Sequence, residues 1–191
     1  MNQPTLILIA GANGAGKSTL TSGNAEIFGT MSLLDPDAVA RTINSEITGA
    51  SAIAAGRMVL QIAESKLHEG HGFAIETTLS GKSYLQMMLK ARDRGFEIVL
   101  VYIGTNNVEI NLLRIANRVL AGGHHVPEAD VRRRYGRSLQ NLPVAIRRAD
   151  HVILFDNSSE DSYQIVGVID QGHAQWFDPI PPWADTLQHS Q

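Results

Sequence analysis

The residues with the clearest chemistry lie near the start of the chain, in Gly11-Ala12-Asn13-Gly14-Ala15-Gly16-Lys17-Ser18-Thr19. The first eight fit the pattern G-x-x-x-x-G-K-[ST]. Glycines at this spacing let successive backbone N–H groups turn inward around an anion, and a helix beginning at Lys17 adds the partial positive charge of its N-terminus. A lysine here reaches the β- and γ-phosphates of a nucleoside triphosphate, and the serine hydroxyl that follows is a ligand for Mg²⁺. Thr19 is placed for the α-phosphate. The loop therefore predicts a site for ATP or a close relative, with Mg²⁺. The preceding run Thr5–Ala10 is apolar throughout, as in a strand buried on both faces of a parallel sheet. Gly81-Lys82-Ser83 is not a second such loop, because the position five before Gly81 is Glu76 and not glycine.

Carboxylates and hydroxyls follow at the ends of later apolar runs. Transfer of a γ-phosphoryl to a hydroxyl needs a carboxylate to accept the acceptor's proton. Asp37, twenty residues after Lys17, suits that role, and it equally suits a helix N-cap. Asp35 suits a Mg²⁺-bound water or a turn before Pro36. Glu76 ends the run Phe73-Ala74-Ile75, where an unpartnered charge would be costly, so it is expected to meet a Mg²⁺-bound water or the substrate. Thr77 and Thr78 are candidate hydroxyls for a polar acceptor, and Ser80 is expected to cap the next helix.

Phosphoryl transfer usually requires a further cation. Arg114 and Arg118 lie on one predicted helix, and Arg132-Arg133-Arg134 and Arg137 on the next. Gly122-Gly123 separates the two, which suits a hinged lid over the nucleotide, about residues 117–135. Consecutive helical residues point about 100° apart, so three arginines in a row cannot serve one phosphate. Arg118 and Arg134 are the candidates; Arg132, Arg133 and Arg137 read as a solvated face. Arg134, Ser138 and Asn141 form a polar stripe expected to face a cleft. His124, at the lid turn, is a candidate substrate contact. Trp176 and Trp183 read as packing residues.

Strands alternating with helices must position these groups, and that order predicts a mainly parallel sheet. The expected fold is α/β, a P-loop NTPase with a five-stranded sheet flanked by helices, a helical lid and a C-terminal β-hairpin over 164–177. Residues 1–178 are read as one domain and 179–191, with three prolines, as a docked or frayed tail. Ser51 is expected to cap a long helix, and helix ends are expected near Gly29 and Ile47. In an open sheet of this kind the segments following the strands converge on one ligand-binding edge. A net charge of −3 argues against a nucleic-acid-coating role. With no cysteine there are neither disulfides nor thiolate metal sites. No apolar run reaches the ~20 residues needed to cross a bilayer, and a cytoplasmic location is expected.

Taken together, Gly11–Ser18, Asp35-Pro36-Asp37, Glu76-Thr77-Thr78-Leu79-Ser80-Gly81 and Arg118-Val119-Leu120-Ala121-Gly122-Gly123-His124 resemble the zeta-toxin family of P-loop kinases, in its small ATPase-like branch. Val131–Leu142 and Phe155-Asp156-Asn157-Ser158 extend the resemblance, which covers residues 4–158. It implies ATP with Mg²⁺, phosphorylation of a hydroxyl on a small molecule such as a UDP-N-acetylamino sugar, and an antitoxin protein as partner. It also implies that Lys17 and Ser18 are phosphate and Mg²⁺ ligands, Asp37 the base, Glu76 and Thr78 the substrate side, Arg118 and Arg134 phosphate clamps, and Asn157 a neighbour of the adenine. A nucleoside or nucleotide kinase, or an ATP-binding toxin–antitoxin component with little catalysis of its own, are the other readings.

Overall fold

The computed structural model describes residues 3–23, 31–43, 49–159 and 162–188. Five parallel strands form its frame: β1 (Thr5–Ala10), β2 (Ser32–Leu34), β3 (Phe73–Thr77), β4 (Glu97–Gly104) and β5 (His151–Asp156). The hairpin β6 (Gln164–Asp170) and β7 (His173–Trp176) does not stand apart. It pairs antiparallel with β5, so the sheet has seven strands rather than the expected five, in the order β2-β3-β1-β4-β5-β6-β7. The edge of a five-stranded sheet would leave backbone groups of β5 unpaired, and the hairpin covers them.

The helices are α1 (Lys17–Gly23), α2 (Pro36–Ile43), α3 (Gly49–Glu69), α4 (Lys82–Asp93), α5 (Val108–Leu120), α6 (Glu128–Ile146) and α7 (Pro182–Gln188). None among the described residues is long and apolar enough to cross a membrane. The expected helix ends near Gly29 and Ile47 fall outside the described residues. α3 begins at Gly49, two residues before Ser51, the expected cap. The cost of a helical glycine, about 1 kcal/mol, is small beside the burial of Ala55, Val59, Ala63 and Leu67 along one face of that helix. Ser80 does not cap α4: the N-cap is Gly81, without a side-chain bond. The local hydroxyls are used in the turn itself. Thr77 Oγ1 accepts from the Leu79 N–H (2.9 Å), and Thr78 and Ser80 pair at 2.8 Å. Leu79 sits in the left-handed region (φ 54°) and is fully buried, with Asn141 Nδ2 donating to its carbonyl (2.8 Å).

That last bond corrects the expected polar stripe. Asn141 points at the α4 turn, and Ser138 is buried against Tyr102, the two hydroxyls 3.1 Å apart. Only Arg134 of the three reaches the cleft. The helix lies close enough to the sheet that the stripe meets polar groups of the core before it can meet solvent.

β1 is the central strand, and its register decides the site. Ile9 lies opposite Glu76 on β3, and Ala10 opposite Tyr102 on β4. The strand order turns about β1, since the chain passes to β2 and β3 on one side before crossing to β4 and β5 on the other. In open α/β sheets such a crossover opens a crevice beyond the carboxyl ends of the strands.

The tail is docked, not frayed, through residue 188. Trp183, Ala184 and Leu187 of α7 join the main core. The Trp183 ring packs on Tyr102 with centroids 5.6 Å apart, and its indole N–H donates to Asp156 Oδ1 at 2.7 Å. The ring covers Gly104, where any Cβ would overlap it. Replacing Trp183 with Ala is expected to cost about 3–5 kcal/mol, measured as a shifted midpoint in urea; a loss below ~1 kcal/mol would show the tail to be peripheral.

Candidate active site

The loop between β1 and α1 is held open from outside. Ala12 O accepts from Lys17 Nζ (3.2 Å), Asn13 O from Asn111 Nδ2 (2.7 Å), Ala15 O from Asn157 Nδ2 (2.8 Å) and Gly16 O from the Tyr163 hydroxyl (2.7 Å). Carbonyls tied outward leave the peptide N–H groups turned toward the loop's centre, the arrangement that receives a phosphate. Gly16 is required here because its φ is 105° and a Cβ would run into Asn157 and Tyr163. Asn111 is fully buried, and its own carbonyl oxygen accepts from Thr105 Oγ1.

A cleft of about 1020 Å³ opens over this loop, large enough for a nucleotide and a second small molecule together. Asn13, Gly14, Gly16, Lys17, Ser18, Thr19, Asp35, Asp37, Glu76, Thr77, Thr78, Arg118, Arg134 and Asn157 all line it. The sheet thus brings together nearly all of the residues selected from the sequence. Gly11, Ala12 and Ala15 belong to the buried body of the loop. His124 is not among the lining residues. It stands in the α5–α6 connection, where its carbonyl accepts from Arg118 Nη2 at 3.0 Å.

The carboxylates divide into two kinds. Glu76 is 4% exposed and sits against α1, accepting from Ser18 Oγ (3.0 Å) and Thr21 Oγ1 (2.7 Å). Burial raises its pKa, against the opposing pull of the Thr21 hydroxyl, the Lys17 charge and Ser18. Glu76 thus lies beside Ser18 and Thr21 at the cleft. Asp35 caps α2, with its Oδ1 accepting from the Asp37 N–H at 2.8 Å. Asp37 is thereby relieved of the capping role. It occupies the first turn of α2, and among the described residues its carboxylate has no hydrogen-bond or ion-pair partner. Desolvation lowers the Lys17 pKa, while Glu76, Asp37 and Asp35 pull it back up.

The cations come from α5 and α6. Arg134 donates from Nη1 to Asn13 Oδ1 (3.2 Å) and lies 3.8 Å from Asp130. Arg132 and Arg133 pair away from the cleft, with Glu109 and Glu128 and with Asp130, as a solvated face should. Asn157 reaches the loop as a tether on Ala15. Several functional side chains escaped the sequence reading. Thr21 stands three residues after Ser18 on the same helix face, which was a usable signal. Arg114 also lines the cleft and donates to the carbonyls of Asn157 (2.7 Å) and Ser159 (2.9 Å). Asn111 and Tyr163 carry no local signal, because the loop carbonyls they hold are remote in sequence.

Loop, sheet order and convergent polar residues define a P-loop nucleotide-binding protein of kinase-like fold. The chain belongs to the AAA_33 family of AAA domains, whose model matches residues 6–139. It is 41% identical to an uncharacterised protein of Haemophilus influenzae over 133 residues, 70% of this chain and 94% of the relative. Its fold is similar to a chain of the AvrRxo1-ORF1:-ORF2 complex solved with ATP (TM-score 0.75, 16% identity), covering 98% of this chain and 63% of that one. This chain thus spans less than two thirds of that neighbour's length. It is also similar to a chain of the PezAT toxin–antitoxin system of Streptococcus pneumoniae (TM-score 0.64, 17% identity), covering 99% of this chain and 78% of that one. The fold of these neighbours agrees with the α/β P-loop arrangement that the motifs imply.

The raised pKa of Glu76 makes a signed prediction. Its ordinary value is 4.5, so ionisation of the folded protein costs stability once the pH passes above that value. Glu76→Gln removes that cost. The nucleotide-free variant should match wild type in melting temperature near pH 4 and exceed it at pH 7. A variant less stable than wild type at pH 7 would show that the carboxylate's hydrogen bonds outweigh its desolvation.

Proposed function

We propose that this chain is an ATP-dependent kinase that transfers the γ-phosphoryl group to a hydroxyl of a small molecule. The observation that carries this reading is Asp37, whose carboxylate has no hydrogen-bond or ion-pair partner among the described residues and which lines the same cleft as the phosphate loop, Arg118 and Arg134. The same cleft is also lined by the hydroxyl-bearing Thr78 and Tyr84, which suit a polar acceptor. In this reading the loop N–H groups and Lys17 hold the β- and γ-phosphates, and Asp37 accepts the proton of the attacking hydroxyl. Arg118 and Arg134 balance charge on the moving phosphoryl.

The donor set on the Ser18 side is hard oxygen throughout: Ser18, Glu76 and Asp35. That suits Mg²⁺, which commonly keeps several waters and takes only one or two protein carboxylates. No group of three or more metal-ligating His, Cys, Asp or Glu occurs among the described residues, in keeping with an ion shared with nucleotide phosphates. Bound there, Mg²⁺ would neutralise charge on the phosphates; Ser18 and Glu76 would orient it, directly or through water.

A lid over about residues 117–135 is part of this reading. Ile115, Val126 and Val131 form a small cluster separate from the main core, while Leu142, Ala145 and Ile146 root the far end of α6 in that core. Such a segment can shift over bound nucleotide without disturbing the sheet. The PezAT neighbour comes from a toxin–antitoxin system, and on that likeness a partner of antitoxin type belongs to the reading; a UDP-amino-sugar acceptor is what the resemblance of the motifs adds to it.

The test is a metabolite-extract screen with labelled ATP, followed by mass identification of the product. Asp37→Asn is expected to lower acceptor-stimulated ADP release by about 10²–10⁴-fold while ATP affinity stays within about twofold. Unchanged turnover in that variant would remove Asp37 as the base, and the absence of any phosphorylated product would remove the kinase reading.

A further inference from the structure

The loop pattern demands glycines, a lysine and a hydroxyl, but nothing at its third position. Asn13 stands there, only 9% exposed at the rim of the cleft. Its peptide is fixed by Asn111 Nδ2, and Asn111 is itself anchored by Thr105. That bond fixes the peptide plane from which the Asn13 side chain departs. Its Oδ1 accepts from Arg134 Nη1 at 3.2 Å. Among the described residues this is the side-chain hydrogen bond that joins the phosphate loop to α6. The other group near the Arg134 guanidinium, Asp130, lies one turn back on the same helix and 3.8 Å away, so it cannot fix the arginine relative to the loop.

We propose that Asn13 is a positioning residue that holds the Arg134 guanidinium at the loop in register with the phosphoryl group to be transferred. An amide oxygen is suited to this task. It accepts one guanidinium N–H without adding a negative charge, so the bond itself leaves the cation and its remaining donors available to a phosphate. A carboxylate at the same point would hold the arginine more tightly but cancel its charge and repel the nucleotide. Asn13 thus acts through Arg134 and only when charge develops on the phosphoryl group. Ground-state ATP is already bound by the loop N–H groups and Lys17.

The inference rests on the kinase reading, but its test needs no acceptor. Binding of ATP, and of ADP with aluminium fluoride as a mimic of the phosphoryl in transfer, is measured with Mg²⁺ in the buffer. The intact chain is compared with Asn13→Ala, Arg134→Ala and the double variant. Asn13→Ala should weaken binding of the fluoride complex by about tenfold, as for loss of a hydrogen bond to a charged group, and change ATP binding by less than about twofold. In the Arg134→Ala background the same change should have no further effect. Equal losses in both backgrounds, or an equal loss of ATP binding, would overturn the proposal. Asn13→Ser, too short to reach Arg134, repeats the test if the alanine variant folds poorly. Failure here leaves the acceptor screen untouched, and an acceptor screen without product leaves this binding cycle readable.

Discussion

A phosphate loop works only if its carbonyls point away from the anion, and in this protein that condition is met from outside the loop. Backbone N–H and C=O groups come in equal numbers, and an anion repels the latter. Four carbonyls, those of Ala12, Asn13, Ala15 and Gly16, are each tied by a side chain: Lys17, Asn111, Asn157 and Tyr163. Except for Lys17 the tethers come from segments that follow β4, β5 or the turn before β6. The loop's shape is therefore a property of the assembled sheet. Gly16 illustrates the dependence, since a side chain there would displace two of the tethers at once.

The second constraint is the placement of charge. Glu76 is carried into the interior by the register of β3 on β1, and a carboxylate so placed must be partnered. Ser18 and Thr21 supply hydrogen bonds and Lys17 a nearby charge. The same three residues shape the start of α1, so the partnering of Glu76 and the orientation of the phosphate-binding helix are one arrangement. Beyond it the cleft is divided by sign. Asp35, Asp37 and Glu76 lie near the ends of β2 and β3, while Arg114, Arg118 and Arg134 come from α5 and α6. A transferred phosphoryl group needs both: cations on its oxygens and a base on the acceptor.

Much of this was legible in the chain of residues alone. The phosphate loop was readable because its glycines, lysine and serine serve functions fixed by local geometry. The parallel order of strands was readable because apolar runs alternated with helical periods. Asp37, Glu76, Arg118 and Arg134 were selected because polar residues just after strands, or on a helix beside a glycine break, have few other uses. Local signals failed where a residue's partner was remote. Ser51 and Ser80 have the composition of caps, but α3 begins at Gly49 and a turn built around Leu79 leads into α4. The stripe of Ser138 and Asn141 had the period of a cleft face, yet the proximity of α6 to Tyr102 and Leu79 turned it inward.

The sequence by itself determined the class of chemistry, because a phosphate loop is specified within eight consecutive residues and a helix N-terminus. It also determined the α/β frame, since each strand and helix announces its own period. Tertiary structure alone decided that Glu76, by the register of β3 on β1, lies beside Ser18. It alone decided that the hairpin extends the sheet, that Trp183 closes the core, and that Asn111, Asn157 and Tyr163 hold the loop. The physical reason is common to these cases. A hydrogen bond between residues a hundred positions apart leaves no trace in the local pattern of either, and only strand pairing brings the two within reach.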